Sequence, residues 1–222
     1  MNLDDTGSFT WLLEAPAVPR LDLRERLKRL IDIVGAWLLL VATAPILAVA
    51  ALAVRLTSRG PVFFVSPRIG YRCRQFGMLK LRTMVHGAEK QEAALAAARP
   101  EQRIFFKLED DPRVTRVGRW LRRASIDELP QLVNVLRGEM SLVGPRPLLV
   151  SDMRLYPRSA QMRRFSVKPG LTGLWQVSGR SRLPDEDRIA LDLEYVDRWS
   201  LALDARILAR TLPAVLSGEG AT

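Results

Sequence analysis

The stretch IVGAWLLLVATAPILAVAALAV, Ile33 to Val54, is uncharged over 22 residues and holds Pro45 near its middle. At about 1.5 Å of rise per residue it is long enough for a hydrocarbon core of roughly 30 Å. An interior proline removes a backbone donor and clashes with the preceding turn. The arms on either side, Ile33 to Ala44 and Ile46 to Leu56, would each reach about 16 to 18 Å, roughly half of that core. The pattern predicts a re-entrant membrane helix-break-helix over residues 28–57, its freed carbonyls satisfied by the Thr43 hydroxyl or by packed protein. Basic residues stand on both flanks, Arg20, Arg24, Arg26, Lys28 and Arg29 before it and Arg55, Arg59, Arg68, Arg72 and Arg74 after it. Lys and Arg mark the cytoplasmic side of a span, so both flanks are expected at the cytoplasmic face of the inner (plasma) membrane. A plain crossing is the alternative, because prolines also occur in spanning helices. A signal peptide fits poorly, since the run is too long and too far from Met1. A buried helix of a soluble domain conflicts with apolarity on every face.

Outward from this run, residues 1–27 read as a loose N-terminal arm with Pro16 and Pro19, and residues 58–222 suffice for one cytoplasmic domain, catalytic or binding. The net charge of +10 points to an anionic partner: a phospholipid surface, nucleic acid or a phosphorylated substrate. One cysteine, Cys73, excludes an internal disulfide, and one histidine, His86, disfavours zinc sites and histidine relays. The chemistry therefore falls to carboxylates, lysines, arginines and backbone.

The expected fold class is α+β and predominantly helical, with amphipathic interfacial helices and a short sheet. Val62 to Val65 is a strand candidate after the helix stop Arg59-Gly60-Pro61. Gln75 to Met84 alternates in part, which puts Lys80 and Arg82 on one strand face, either gripping a phosphate or merely solvated. Gly87 to Arg99 is helical by propensity. Asp110-Asp111-Pro112 is expected to open another helix, with Arg113, Arg116, Arg119 and Arg123 on one face and Val114, Val117 and Leu121 on another. Such a face suits a membrane surface or a polyphosphate, or is simply solvated.

Ser125-Ile126-Asp127-Glu128-Leu129-Pro130 pairs two carboxylates just beyond these arginines, a nucleophile or metal ligand with a helper. Ser125 and Glu128 also have capping-box spacing, and spacing alone favours capping for Glu128. In Gly144-Pro145-Arg146-Pro147 the prolines hold Arg146 on a stiff, extended segment suited to bidentate phosphate recognition. Lys168-Pro169-Gly170-Leu171-Thr172-Gly173 and Ser178-Gly179-Arg180 are Gly-rich turns that either form an anion nest or are only turns. Asp185 to Arg198 reads as a helix, and Trp199 to Leu216 as either an interfacial or a core-packed one.

Taken in order, these segments resemble the bacterial sugar transferase family of monotopic phosphoglycosyl transferases, from about Lys28 to Val215. The carriers are Lys28-Arg29-Leu30-Ile31-Asp32 with the Pro45-bearing helix, Ser58-Arg59-Gly60-Pro61-Val62-Phe63-Phe64, Lys80-Leu81-Arg82-Thr83-Met84, Asp111-Pro112-Arg113-Val114-Thr115, Asp127-Glu128-Leu129-Pro130-Gln131-Leu132, Gly144-Pro145-Arg146-Pro147 and Lys168-Pro169-Gly170-Leu171-Thr172-Gly173. The resemblance implies transfer of a sugar 1-phosphate from a UDP-sugar to polyprenol (undecaprenyl) phosphate, through a covalent phosphosugar on Asp127 with Glu128 as its partner. It implies phosphate handling by Arg122 and Arg146, and by Lys80, Arg82 and Arg180 on weaker matches. A Mg²⁺ ion on Asp127 would neutralise the diphosphate, held by few protein oxygens. Membrane lipid is a further partner, a homo-oligomer is compatible, and no nucleic-acid partner is implied. The sugar stays open among glucose, galactose and N-acetylated or dideoxy sugars, with the Trp175-Gln176-Val177-Ser178-Gly179-Arg180 variant pointing to a hexose for exopolysaccharide or capsule. A membrane-tethered nucleic-acid binder, or a scaffold, would leave the ordered motifs unexplained.

Overall fold

A computed structural model of the protein describes residues 22–88, 111–150 and 163–216. The loose arm up to Leu21, the alanine-rich segment from residue 89 to 99 and Asp110 lie outside the described residues.

The apolar run belongs to one helix, α1, Leu23–Thr57, of 35 residues and about 52 Å, which continues through Pro45. The Thr43 hydroxyl donates to the Leu39 carbonyl at 2.7 Å, a bond to the preceding turn. The expected interruption at Pro45 does not end the helix. Packing explains its continuity, because one stripe of α1 is held by the rest of the protein on both sides of the proline. Ala36 and Leu40 join a core of Met78, Leu132, Val135, Met140 and Tyr195. Leu47, Ala50 and Val54 join a second cluster with Leu81 and Leu121. The remaining faces are bare, with Trp37, Leu38, Leu39, Val41, Ile46, Val49 and Leu52 all exposed. Only 11% of its most apolar 18-residue window is buried, so the helix is long and apolar enough to cross or anchor in a membrane.

Charged residues fasten the start of α1. Lys28 Nζ donates to Asp204 Oδ2 at 2.6 Å and to the Val143 carbonyl at 3.1 Å. Arg29 donates to the Val135 and Leu136 carbonyls at 2.7 and 2.8 Å, in the last turn of α3, Gln131–Arg137. Those are the carbonyls that a helix end leaves unpaired. Asp32 is buried and accepts from Ser141 Oγ and the Leu142 amide, both at 2.9 Å.

After α1, β1 (Phe63–Ile69) and β2 (Gln75–Leu81) form an antiparallel pair in which Phe64 faces Lys80. Both expected strands are present; β2 ends at Leu81, and one further backbone bond, from the Arg82 amide to the Val62 carbonyl at 2.8 Å, continues the pairing beyond it. β4 (Leu148–Leu149) pairs with the other edge of β1, giving the order β2-β1-β4. The outer edge of β2 is held by a side chain: Asn134 accepts from the Leu79 amide at 3.0 Å and donates to the Gly77 carbonyl at 2.8 Å. β3 (Ser141–Val143) pairs in parallel with β5 (Gly170–Thr172).

The helix expected from Asp110-Asp111-Pro112 begins later, as α2, Arg116–Arg123. The Asp111 carboxylate is engaged by Arg113, accepting from its backbone amide at 3.0 Å and from Nη2 at 2.7 Å, so this segment is a turn. Thr115 caps the helix instead, its Oγ1 accepting from the Gly118 amide at 2.9 Å. Arg113 is thereby buried and does not belong to the exposed basic face. α4 (Asp185–Asp197) matches the expected helix. α5 (Leu201–Leu216) packs Leu203, Ile207 and Leu208 against the core, which is ordinary helix packing.

Candidate active site

The carboxylate pair lies in a single 3₁₀ turn, Ile126–Glu128, between α2 and α3. Ser125 before it adopts φ 55° and ψ 20°, and its side chain makes no cap. A left-handed serine is strained, a feature that clusters at functional sites. The capping-box reading of Glu128 therefore fails. Its carboxylate turns instead to two cations, accepting from Lys80 Nζ at 2.9 Å and Arg146 Nη2 at 2.6 Å. Burial raises the Glu128 pKa, but Arg146 and Lys80 outweigh burial and hold the carboxyl well below the usual carboxylate range.

Asp127 behaves oppositely. It is buried, and among the described residues no hydrogen bond reaches its carboxylate. Burial, opposed by Lys80 but reinforced by Glu128, pushes its pKa up to about 6. Two adjacent acids are thus driven apart, Glu128 fixed as an ion-paired anion and Asp127 left poised.

Each cation arrives by its own route. Lys80 sits near the end of β2, and burial draws its pKa down despite Glu128. Arg146 lies between β3 and β4, and its carbonyl accepts from Arg164, itself paired with Asp192 at 2.8 Å. Arg122 is on the inner side of α2 and donates from Nε to Thr83 Oγ1 at 3.0 Å. Burial lowers its pKa, with Asp127 the leading opposing charge. Arg180, at φ 53°, brings Nη2 to 3.5 Å from Ser125 Oγ.

The structure therefore assembles Asp127, Glu128, Lys80, Arg122, Arg146 and Arg180. It does not bring Arg82 to them. That guanidinium donates to the Ser58 carbonyl and hydroxyl, both at 2.8 Å, and to the Pro61 carbonyl, fastening the exit of α1. Nor is the Gly170 amide of the Lys168 to Gly173 turn open to an anion. Gly170 and Gly144 donate their amides to the Pro145 and Thr172 carbonyls at 2.8 and 2.9 Å. A Cβ on Gly170 would lie 2.1 Å from the Gly144 nitrogen, so the glycines permit two backbones to touch.

Residues that sequence reasoning missed support this site from behind. Thr83 holds Arg122, and Gly118 allows α2 to reach Thr83, since a Cβ there would meet the Thr83 carbonyl oxygen at 2.0 Å. Arg164 and Asp192 hold the backbone of Arg146. Isolated Thr, Gly and Asp residues carry no pattern that would reveal these contacts.

Among the described residues no cluster of three or more His, Cys, Asp or Glu could cage a metal. With Glu128 engaged by two cations, Asp127 offers the open carboxylate. One protein oxygen donor beside a diphosphate and water fits a Mg²⁺ ion, which keeps waters and binds through few carboxylates.

The family profile described as "Bacterial sugar transferase" matches residues 23–218. The chain belongs to the bacterial sugar transferase family. As a sugar transferase it is an enzyme of the phosphoglycosyl transferase class. It is 44% identical over 197 residues to the "Exopolysaccharide production protein ExoY" of Sinorhizobium fredii, covering 87% of each chain. It is also 44% identical over 231 residues to the "UDP-glucose:undecaprenyl-phosphate glucose-1-phosphate transferase" of Caulobacter vibrioides, covering 98% of this chain and 80% of that protein. The "Galactosyl transferase CpsE" of Streptococcus agalactiae is 44% identical over 195 residues, and there the match spans only 43% of the relative. This sugar transferase thus corresponds to most of some relatives and to less than half of others.

Proposed function

We propose that this sugar transferase moves a hexose 1-phosphate from a UDP-sugar to undecaprenyl phosphate, initiating exopolysaccharide or capsule assembly. The observation that carries the reading is the buried Asp127 carboxylate, free of hydrogen bonds among the described residues and surrounded by Lys80, Arg122 and Arg146. An Asp127 oxygen attacks the sugar-bearing phosphorus, the bond to the UMP oxygen breaks, and UMP leaves with that electron pair. A phosphate oxygen of the polyprenol phosphate then attacks the same phosphorus, forming the lipid diphosphate sugar and releasing Asp127. Splitting the transfer in this way lets one site receive a soluble donor and a lipid acceptor in turn.

An anionic nucleophile approaching a diphosphate meets like-charge repulsion. Lys80, Arg122, Arg146 and Arg180 offset it, and Glu128 keeps Lys80 and Arg146 ordered without occupying Asp127. Mg²⁺ bound at Asp127 would add charge neutralisation on the phosphate oxygens. Arg82 has a positioning role in this reading, through the exit of α1.

We also propose that α1 anchors the enzyme monotopically at the cytoplasmic face of the inner membrane, bending at Pro45 without ending so that it enters and leaves on one face instead of crossing. Ala36 and Val54 lie about 27 Å apart along the helix, yet both pack on the same fold, and one fold on one side of a bilayer does not grip both ends of a span. Reporter tags at Met1 and Thr222 should appear on the same side; opposite sides would overturn the topology and leave the chemistry standing. The chemistry is tested by incubating detergent-solubilised protein with Mg²⁺, undecaprenyl phosphate and radiolabelled UDP-glucose, UDP-galactose and N-acetylated UDP-sugars. Lipid product that disappears in Asp127→Asn is expected. No product with any donor, or full activity in that variant, would defeat the mechanism.

A further inference from the structure

α2 divides cleanly into two faces. At about 100° per residue, Val117, Gly118, Leu121 and Arg122 occupy its inner side, where Leu121 is fully buried beside Ala50 and Val54 of α1. Arg116, Arg119, Trp120 and Arg123 occupy the opposite arc, all exposed. Trp120 is 61% exposed, a large amphipathic ring facing outward. Among the described residues no carboxylate pairs with these three arginines, and α2 itself contains no acid.

The surroundings are equally distinctive. The half of α1 that α2 packs against shows Val49, Leu52 and Leu56 outward, and Arg55 and Arg59 are exposed near its end. β1, which follows, exposes Phe63, Phe64 and Val65 in succession. Apolar side chains, an outward tryptophan and a set of exposed arginines form the composition of a bilayer interface, where tryptophan sits at headgroup level and arginine meets phosphate.

We propose that the outward face of α2 binds anionic phospholipid headgroups. The inference rests on the membrane anchoring proposed above and adds to it a lipid preference and a depth. The inner face of the same helix carries Arg122, tied to Thr83, and Asp127 is the leading charge that favours its ionised form against burial. Headgroup contact on one side of α2 therefore fixes the carboxylate about one helix diameter, roughly 10 Å, from the headgroup layer.

The test uses the full chain in nanodiscs of phosphatidylcholine, with or without phosphatidylglycerol. Quenching of Trp120 by brominated phosphatidylglycerol is compared with quenching by brominated phosphatidylcholine, and Trp120→Phe gives the background from the other tryptophans. The anionic lipid should quench more strongly, and the preference should fall at least about threefold in Arg116→Gln/Arg119→Gln/Arg123→Gln. High salt should weaken it in the parent protein, and the corresponding triple lysine variant should retain it. Activity in detergent micelles without anionic lipid should be unchanged in the glutamine variant. An unchanged quenching ratio in that variant overturns the proposal. So does an unchanged ratio with a raised KM for the UDP-sugar, which would assign the face to the nucleotide, and so does displacement of the lipid effect by nucleic acid. Quenching needs no turnover, so a chain inactive on every donor would still report on this face.

Discussion

Replacing Asp127 by asparagine should remove activity and at the same time stabilise the protein at neutral pH. Burial, partly offset by Lys80, raises the carboxyl from 3.8 to about 6, so the folded chain holds this proton more tightly than the unfolded chain does. Below about pH 4 both states are protonated and ionisation costs nothing. Between about pH 4 and 6 the unfolded state ionises first, and stability is lost. Above that window the full cost stands, two units at about 1.4 kcal/mol each, or roughly 3 kcal/mol. The attraction of Asp127 to Lys80 and Arg122 is already contained in the net shift, so asparagine should recover up to that amount at pH 8 and almost none at pH 4. For a chain of this length the gain corresponds to roughly 6–12 °C in Tm. Thermal unfolding of both proteins in the same detergent at the two pH values measures it. The reasoning is refuted if Asp127→Asn is less stable at pH 8, or if its advantage is the same at both pH values. The same shift predicts that turnover of the parent enzyme declines as pH falls through about 6, because the attacking group must be ionised.

Glu128→Gln should act in the opposite sense. It strands Lys80 and Arg146, which are about one-fifth exposed, and should cost about 2–3 kcal/mol at neutral pH by denaturant titration. Because the Glu128 pKa is depressed, this stabilisation is lost as pH falls through the folded value, so the deficit should narrow in acid. Gly118→Ala places a methyl group 2.0 Å from the Thr83 carbonyl oxygen, and should cost about 3 kcal/mol and reduce turnover by displacing Arg122; unchanged kinetics would remove Thr83 from its supporting role. Asp32→Ala leaves the Ser141 hydroxyl and Leu142 amide unpaired in the core, and should cost about 2–4 kcal/mol, read as easier proteolysis between α1 and the remainder of the fold.

Much of this protein is written locally. The apolar run, the β1 and β2 segments and the α4 helix all follow from periodicity and turn residues, and the ordered motifs point to the family before any contact is known. Asp127 also stands out from spacing, because capping accounts for Glu128 alone. The capping box itself misleads: Ser125 takes a left-handed conformation, and the pull of two cations on Glu128 exceeds that of one backbone amide. Arg82 misleads in the same way: two-residue spacing suggests a shared face with Lys80, but β2 ends at Leu81 and the Arg82 guanidinium is drawn to Ser58 and Pro61 at the exit of α1.

By itself the sequence determines composition and period: a hydrophobic anchor, a basic catalytic domain, two adjacent acids and a supply of arginines. Which arginine meets which acid is decided only when distant segments pack. Lys80 lies 48 residues from Glu128 and Arg146 lies 18 away, and neither separation belongs to any local repeat. The continuity of α1 through Pro45 is likewise tertiary, because the helix is held by packing on both sides of the lost hydrogen bond. Local propensity is short-ranged, whereas burial, and with it the opposite displacement of the Asp127 and Glu128 pKa values, depends on everything that closes around them.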